Sequence, residues 1–148
     1  MHRLIRISGA VALLSVAGVA VAHENVQNPA VLDRMNNMSA LGDSVETLVT
    51  MMRGSVPFNA NVANAALTSL SQASAEITPL FEAEQRDPFD EASPDIWSEF
   101  DRFSQLATDL QDATLSLSGS IRSPDDLRPA MQTVGQACAA CHDLYRVD

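Results

Sequence analysis

The sequence predicts an all-α protein that folds as an antiparallel four-helix bundle with up-down-up-down topology. Over four stretches of the 148-residue chain, apolar residues recur every three to four positions, which is the spacing of one helix face. No stretch shows the sustained alternation of polar and apolar residues that indicates a β-strand. The connections between the four stretches are short, and short connections favour antiparallel neighbours.

Residues 1–22 have the pattern of a secretory signal peptide. Arg3 and Arg6 make the start basic, residues 7–21 are apolar and rich in small side chains, and an A-x-A cleavage pattern ends at Ala22. An uncleaved anchor helix is the alternative, but the apolar run is short for a membrane span. We therefore expect cleavage after Ala22, export to the periplasm, and one mature domain over residues 23–148 without a membrane anchor.

The chain is acidic, with a formal net charge of −10, and it contains no lysine. Loss of Arg3 and Arg6 with the signal peptide makes the mature chain more acidic still. This balance disfavours nucleic acid and anionic membrane surfaces as partners. It suits a redox partner protein with a basic docking face, although solubility alone also explains an acidic surface.

The first predicted helix begins at Asn28 and Pro29. Asparagine is a typical N-cap, and proline suits the first helical position, where its missing N–H costs nothing. An apolar stripe then runs from Val31 to Met52. We expect the helix to end near Gly54, because glycine adopts the left-handed conformation that closes many helices.

The second predicted helix extends from about residue 61 to residue 84. Pro79 lies inside this pattern and cannot donate a backbone N–H, so we expect a kink or an early end there. The small residues of this segment suit close helix approach, either within the bundle or between two chains. The stripe predicted to face the core comprises Val62, Ala65, Ala66, Leu70, Ala73, Ile77 and Phe81.

The third and fourth predicted helices open with the same signal, a serine followed by proline and aspartate. Ser93 begins the third helix, which should end around Gly119, and Ser123 begins the fourth. In both, the serine can cap the helix, the proline fits the first position and the acid suits the positive end of the helix dipole. The fourth helix should place Cys138 and Cys141 on its core-facing side.

The strongest chemical signal is the run Cys138-Ala139-Ala140-Cys141-His142 on this last helix. Two cysteines three residues apart lie on one helix face, within reach of the two vinyl groups of one porphyrin. His142 follows at once, so its imidazole can bind the iron as an axial ligand. The run predicts one covalently attached haem c per chain, near the C-terminal end of helix four.

Three other roles for the two cysteines fit less well. A redox dithiol normally accompanies alternating strands and helices, which the sequence does not show. A zinc site needs a second pair of ligands, and the only other histidines are His2 and His23, near the N-terminus. A disulfide between residues three apart on a helix would be strained.

Antiparallel packing predicts where a second axial ligand would come from. The start of the first helix should lie across from His142, and it carries Met35 and Met38. Met51 and Met52 lie about 20 Å further along the same helix, too far to share one iron. For any methionine on an apolar stripe, ordinary core packing is the alternative role.

Together these features resemble the class II c-type cytochromes, the cytochrome c′ family. The likeness runs from about Val31 to Arg146 and is most specific at the C-terminal Cys-x-x-Cys-His. The resemblance implies an exported four-helix bundle in which Cys138 and Cys141 form thioethers to the haem. It also implies that His142 is the proximal ligand of the iron.

The resemblance assigns roles to three further residues. Arg146, one turn after His142, matches a basic residue beside the proximal imidazole, and Arg34 matches one that contacts a haem propionate. The alternatives are a C-terminal arginine favoured by the helix dipole and an ordinary surface arginine. Met38 matches the residue that faces the distal side of the iron, and its spacing from Gly42 fits the low-spin branch of the family.

The family divides by what the distal residue does. If the thioether of Met38 binds the iron, the protein is a low-spin electron carrier; if it does not, five-coordinate iron binds NO or CO. We expect a periplasmic monohaem carrier of single electrons with His142 and Met38 as ligands, and gas binding is the alternative.

No enzymatic activity is expected, because no further histidine in the body of the mature chain could serve as a distal acid–base catalyst. Family members occur as monomers and as homodimers, and both stay open.

Overall fold

A computed structural model describes residues 25–147. The predicted signal peptide, residues 1–22, lies outside the described residues. The helices are α1 (Pro29–Met52), α2 (Ala60–Ala75), α3 (Ile77–Phe81), α4 (Asp95–Ser98), α5 (Phe100–Leu117) and α6 (Leu127–Tyr145), and a 3-10 turn at Pro124–Asp126 leads into α6. None of the helices within 25–147 is long and apolar enough to cross a lipid bilayer.

The four long helices form a ring in which α1 packs against α2, α2 against α5, α5 against α6, and α6 against α1. Hydrogen bonds between helices fix their directions. Asn37 near the start of α1 donates to the carbonyl of Ala73 near the end of α2 at 3.1 Å. Asn64 near the start of α2 donates to the carbonyl of Ile121, just after α5, at 2.8 Å. The predicted all-α antiparallel four-helix bundle is confirmed.

The second predicted helix is interrupted near its proline. Helix α2 ends at Ala75, and α3 begins at Ile77 after the junction residue Glu76. Pro79 has no N–H for the carbonyl of Ala75, and in a continuous helix its ring would clash with that carbonyl. The expected early end is therefore confirmed, and α3 stops at Phe81, short of the predicted end at residue 84.

Local capping explains where the other helices start. The side chain of Asn28 accepts a hydrogen bond from the amide of Ala30 at 3.0 Å. Ser123 and Asp126 form a capping box before α6, with the Ser123 amide 2.8 Å from the Asp126 carboxylate. The third predicted helix differs from expectation, because Glu99 leaves helical geometry (φ −120°, ψ 32°) and separates α4 from α5.

Helix α2 buries Ala66 and Leu70 of the predicted stripe but leaves Val62 and Ala65 exposed. Val62 is 45% exposed, whereas Ala63, Ala66 and Leu67 are buried. The prediction that Val62 faces the core is therefore wrong. Because α2 packs against both α1 and α5, its buried surface is broad and is centred one residue later than the simple periodicity indicates.

Candidate haem-binding site

Cys138 and Cys141 lie one turn apart on α6, half-buried at the edge of the core. Both thiols are free. Burial raises the pKa of Cys138, and burial together with the neighbouring Cys138 raises the pKa of Cys141 to about 11. At neutral pH the pair is thus protonated, and the helix holds the two sulfur atoms on one face, as attachment to one porphyrin requires.

His142 is exposed at the same end of α6. Desolvation by the surrounding atoms lowers the pKa of His142 and the Arg146 guanidinium lowers it further, while Asp143 and Glu91 oppose these effects. A lowered pKa leaves the imidazole neutral at neutral pH, with one ring nitrogen free to bind a metal.

The donor set around these residues fits a c-type haem better than a metal ion alone. Within residues 25–147, no group of three or more histidine, cysteine or acidic side chains could hold an ion. A haem needs less from the protein, because the porphyrin supplies four iron ligands and the chain supplies two thiols and an imidazole. The run 138–142 provides that set.

Arg34 on α1 is buried, with only 3% of its surface exposed. Its guanidinium donates to the carbonyls of Leu80 at 2.9 Å, Gln85 at 2.8 Å and Ala83 at 2.5 Å. Burial lowers the pKa of Arg34, and the charge of Asp90 partly opposes this; a guanidinium nevertheless stays charged. This is not an ordinary surface arginine, because it ties the segment after α3 to α1. The propionate contact would use the two remaining N–H groups and stays a prediction.

A series of ring contacts joins the start of α1 to the end of α6. The guanidinium of Arg34 lies 4.7 Å from the ring centroid of Phe81. The Phe81 and Phe103 centroids are 5.0 Å apart, and those of Phe103 and Tyr145 are 5.6 Å apart. Since Tyr145 closely follows His142, the start of α1 lies at the end of the bundle that carries His142, as expected.

Met38 lies one turn after Arg34, is partly buried and packs against the core. Gly42, another turn along α1, is exposed, and a β-carbon added there would meet no described atom within 4 Å. Crowding between helices therefore does not require glycine at this position. Both observations suit a distal haem face beside Met38, and ligation by its sulfur stays a prediction.

Two glutamates that the sequence did not single out hold the chain just after the haem motif. The hydroxyl of Tyr145 donates to Glu99 at 2.7 Å, and Nε of Arg146 donates to Glu91 at 2.8 Å. The amide of Val147 also donates to the carbonyl of Glu91 at 2.8 Å. These side-chain partners are 46 and 55 residues apart in sequence, beyond the reach of any local pattern.

Comparison with known proteins shows relatives across nearly the whole described chain. The family model described as Cytochrome C′ matches residues 29–146. A cytochrome c-556 from Agrobacterium tumefaciens (strain II Chrys) is 34% identical over 119 residues, which cover 77% of this chain and 93% of the relative. A cytochrome c-556 from Rhodopseudomonas palustris is 28% identical over 151 residues, which cover 99% of this chain and 97% of the relative.

Solved structures share the architecture. An NMR-validated model of oxidized R. palustris cytochrome c556 matches with a TM-score of 0.72 and 28% identity, covering 82% of this chain and 98% of that one. A nitric oxide complex of a mutant cytochrome c prime from Alcaligenes xylosoxidans matches with a TM-score of 0.70 and 29% identity, covering 81% and 94%. The similarity therefore extends over almost the full length of a cytochrome c556 and of a cytochrome c prime.

Proposed function

The chain belongs to the cytochrome c′ family, and on this basis we propose that it is a periplasmic monohaem cytochrome whose iron binds nitric oxide or carbon monoxide at an open sixth position. Haem c, attached covalently, is the cofactor of this family. The haem supplies an iron that exchanges one electron and binds diatomic gases. The residues of this chain hold and orient it.

Five of the six predicted site residues would hold or border the haem. The thiols of Cys138 and Cys141 would anchor the porphyrin, and the neutral imidazole of His142 would bind the iron from the proximal side. Arg34, at the same end of the bundle, would pair with a propionate. Met38 would border the distal side, where its side chain limits the room for a ligand.

The observation that carries the gas-binding proposal is the similarity to nitric oxide complexes. Structures of two mutants of cytochrome c prime from A. xylosoxidans with bound nitric oxide share 29% of their residues with this chain at TM-scores of 0.69 and 0.70. Gas binding was the alternative in the sequence analysis, and these structures support it more directly than they support the carrier function.

Electron carriage with His142 and Met38 as the two axial ligands is the second candidate. It is favoured by the position of Met38, one turn beyond Arg34 and against the core, and by the likeness to proteins named cytochrome c-556. The acidic balance of the chain suits a basic electron donor in either case. Neither function makes the protein an enzyme.

The absorption spectrum of the purified protein with and without CO separates the two candidates. Gas binding predicts a broad high-spin ferrous spectrum that sharpens and shifts when CO is added. A sharp low-spin spectrum that CO leaves unchanged would reject it in favour of the carrier. Intact mass on the same sample should show one haem on a chain that begins at His23, which tests both covalent attachment and export.

A further inference from the structure

Arg146 ends α6 one turn after the proposed proximal ligand. Its amide donates to the carbonyl of His142 at 3.1 Å. Residues four apart on a helix share a face, so the side chain of Arg146 leaves the backbone on the same side of α6 as the imidazole of His142.

One carboxylate oxygen of Glu91 accepts both contacts from the guanidinium of Arg146. Nε and Nη2 of Arg146 lie 2.8 and 2.7 Å from Oε2 of Glu91. The two side chains are 53% and 55% exposed, and a pair with that exposure contributes little when it stands alone. The pair needs further support to fix the arginine in one place.

The backbone supplies that support. Val147 donates its amide to the carbonyl of Glu91 at 2.8 Å, and Ala92 and Arg146 form an antiparallel bridge. Ser93 donates to the carbonyl of Tyr145, also at 2.8 Å. These hydrogen bonds already align residues 91–93 with residues 145–147. Formation of the ion pair therefore costs only the conformational entropy of two side chains.

We propose that Glu91 is a positioning residue that holds the guanidinium of Arg146 at a fixed place beside His142, and so fixes the positive charge on the proximal side of the iron. The inference rests on the proposed function for one point, that His142 binds the haem iron. It applies equally to a gas-binding and to an electron-carrying protein.

The reduction potential of the haem-loaded protein tests this role. Arg146→Gln removes a nearby positive charge that favours ferrous iron, so it should lower the midpoint potential. Glu91→Asp keeps the negative charge but shortens the side chain by one methylene, so it should release Arg146 and lower the potential in the same direction. In the Arg146→Gln background, Glu91→Asp should cause no further shift. Glu46→Asp, at an exposed position on α1, is the matched control and should leave the potential unchanged.

Solvent exchange of the Arg146 Nε–H, followed by NMR in the ferrous protein under CO, where low-spin iron is diamagnetic, gives a second readout of position. Glu91→Asp should speed this exchange by about two- to fivefold, which is the range that the coupling of an exposed ion pair allows. The control variant should leave the exchange rate at its wild-type value.

The proposal is overturned if Glu91→Asp keeps the wild-type potential while Arg146→Gln lowers it. It is also overturned if Arg146→Gln has no effect, since the guanidinium then does not act on the iron. The CO spectrum of the same samples reports separately on the function. A CO-insensitive protein would reject gas binding and leave the comparison of potentials valid, whereas a wild-type mass without haem would reject both proposals.

Discussion

The hydroxyl of Tyr145 donates a 2.7 Å hydrogen bond to Oε2 of Glu99, which ties the end of α6 to the start of α5. Tyr145 is only 3% exposed, and its ring packs edge-on against Phe103. Desolvation raises the pKa of Tyr145 and Glu99 raises it further, while the same hydrogen bond lowers the pKa of Glu99. The end of the helix that carries the Cys-x-x-Cys-His motif is thus held by a hydrogen bond between two ionisable side chains, those of Tyr145 and Glu99.

Replacing Tyr145 with phenylalanine should change how stability depends on alkaline pH. Because its pKa is higher in the folded chain, Tyr145 stabilises the fold fully below its unfolded pKa of about 10, and this contribution is lost as pH rises through the folded pKa. The chain has no lysine and no second tyrosine, and thioether formation would remove the thiols of Cys138 and Cys141, so few other groups titrate there. Tyr145→Phe should lower Tm at neutral pH and flatten the alkaline decline. Thermal melts with equal alkaline slopes for both proteins would contradict this.

Asn64 should contribute more to stability than its neighbours on α2. Its side chain donates to the carbonyl of Ile121 at 2.8 Å and accepts from the amide of Ile121 at 3.1 Å. Ile121 is 2% exposed, so Asn64→Ala leaves both backbone groups without a partner. We expect this change to lower the free energy of unfolding by about 1–3 kcal/mol.

Asn61 is the matched control for Asn64, because it is exposed and lies one turn earlier on the same helix. Asn61→Ala should change the free energy of unfolding by less than about 0.5 kcal/mol. Urea unfolding measures the free energy of unfolding of both variants, and equal m-values show that the differences are changes in stability. Similar losses of unfolding free energy in Asn64→Ala and Asn61→Ala would show that helix propensity, and not the contacts with Ile121, causes the destabilisation.

The capping box before α6 should weaken in acid. The Asp126 carboxylate accepts from the amides of Arg122 and Ser123 at 2.9 and 2.8 Å, and from the Ser123 hydroxyl at 3.0 Å. The bond from Arg122, then those from Ser123, lower the pKa of Asp126 below its usual 3.8. The stabilisation is therefore present above the unfolded pKa and is lost as pH falls through the lower folded pKa.

Asp126→Asn should consequently lower Tm at neutral pH, and the difference from wild type should shrink below about pH 4. Asp125→Asn, at an exposed position in the same 3-10 turn, controls for the general effect of removing an acid near a helix N-terminus. A constant difference from wild type across the acid range would show that the charge of Asp126 is not what caps the helix.

Features of the fold that depend on neighbouring residues were predictable from sequence. Asn28 caps α1 and Ser123 precedes α6 because each acts on backbone within a few residues. Pro79 interrupts its helix through its own ring and missing N–H. The spacing of Cys138 and Cys141 is likewise a local property, so the site that defines the cofactor could be located without coordinates.

Features that depend on packing between distant segments were not predictable. Val62 was assigned to the core because periodicity fixes the spacing of a stripe but does not show where the neighbouring helices will pack. Glu91 and Glu99 are exposed and resemble ordinary surface acids until the fold brings them to residues beyond the haem motif. Arg34 was identified through family likeness, but its contacts with three carbonyls arise only when the segment after α3 folds back over α1.

Removing one thiol should weaken haem attachment without removing the iron ligand. Cys138→Ala leaves Cys141 and His142 in place, so at most one thioether can form. We expect a smaller fraction of chains whose mass includes haem, and a shifted absorption band in those that do. Ala139→Ser, at an exposed neighbouring position on α6, should retain full attachment. Wild-type haem content in Cys138→Ala would exclude Cys138 as an anchor.

Met38 decides between the two candidate functions, and Met38→Ala tests its role directly. If the iron is five-coordinate, the ferrous spectrum should keep its high-spin form in the variant, because no iron ligand has been removed. CO should also bind faster, since the smaller side chain opens the distal face. Met35→Ala, three residues earlier on α1, is the matched control and should leave both measurements unchanged. A change from a low-spin to a high-spin spectrum in Met38→Ala would instead show that its sulfur binds the iron, and the protein would then be an electron carrier.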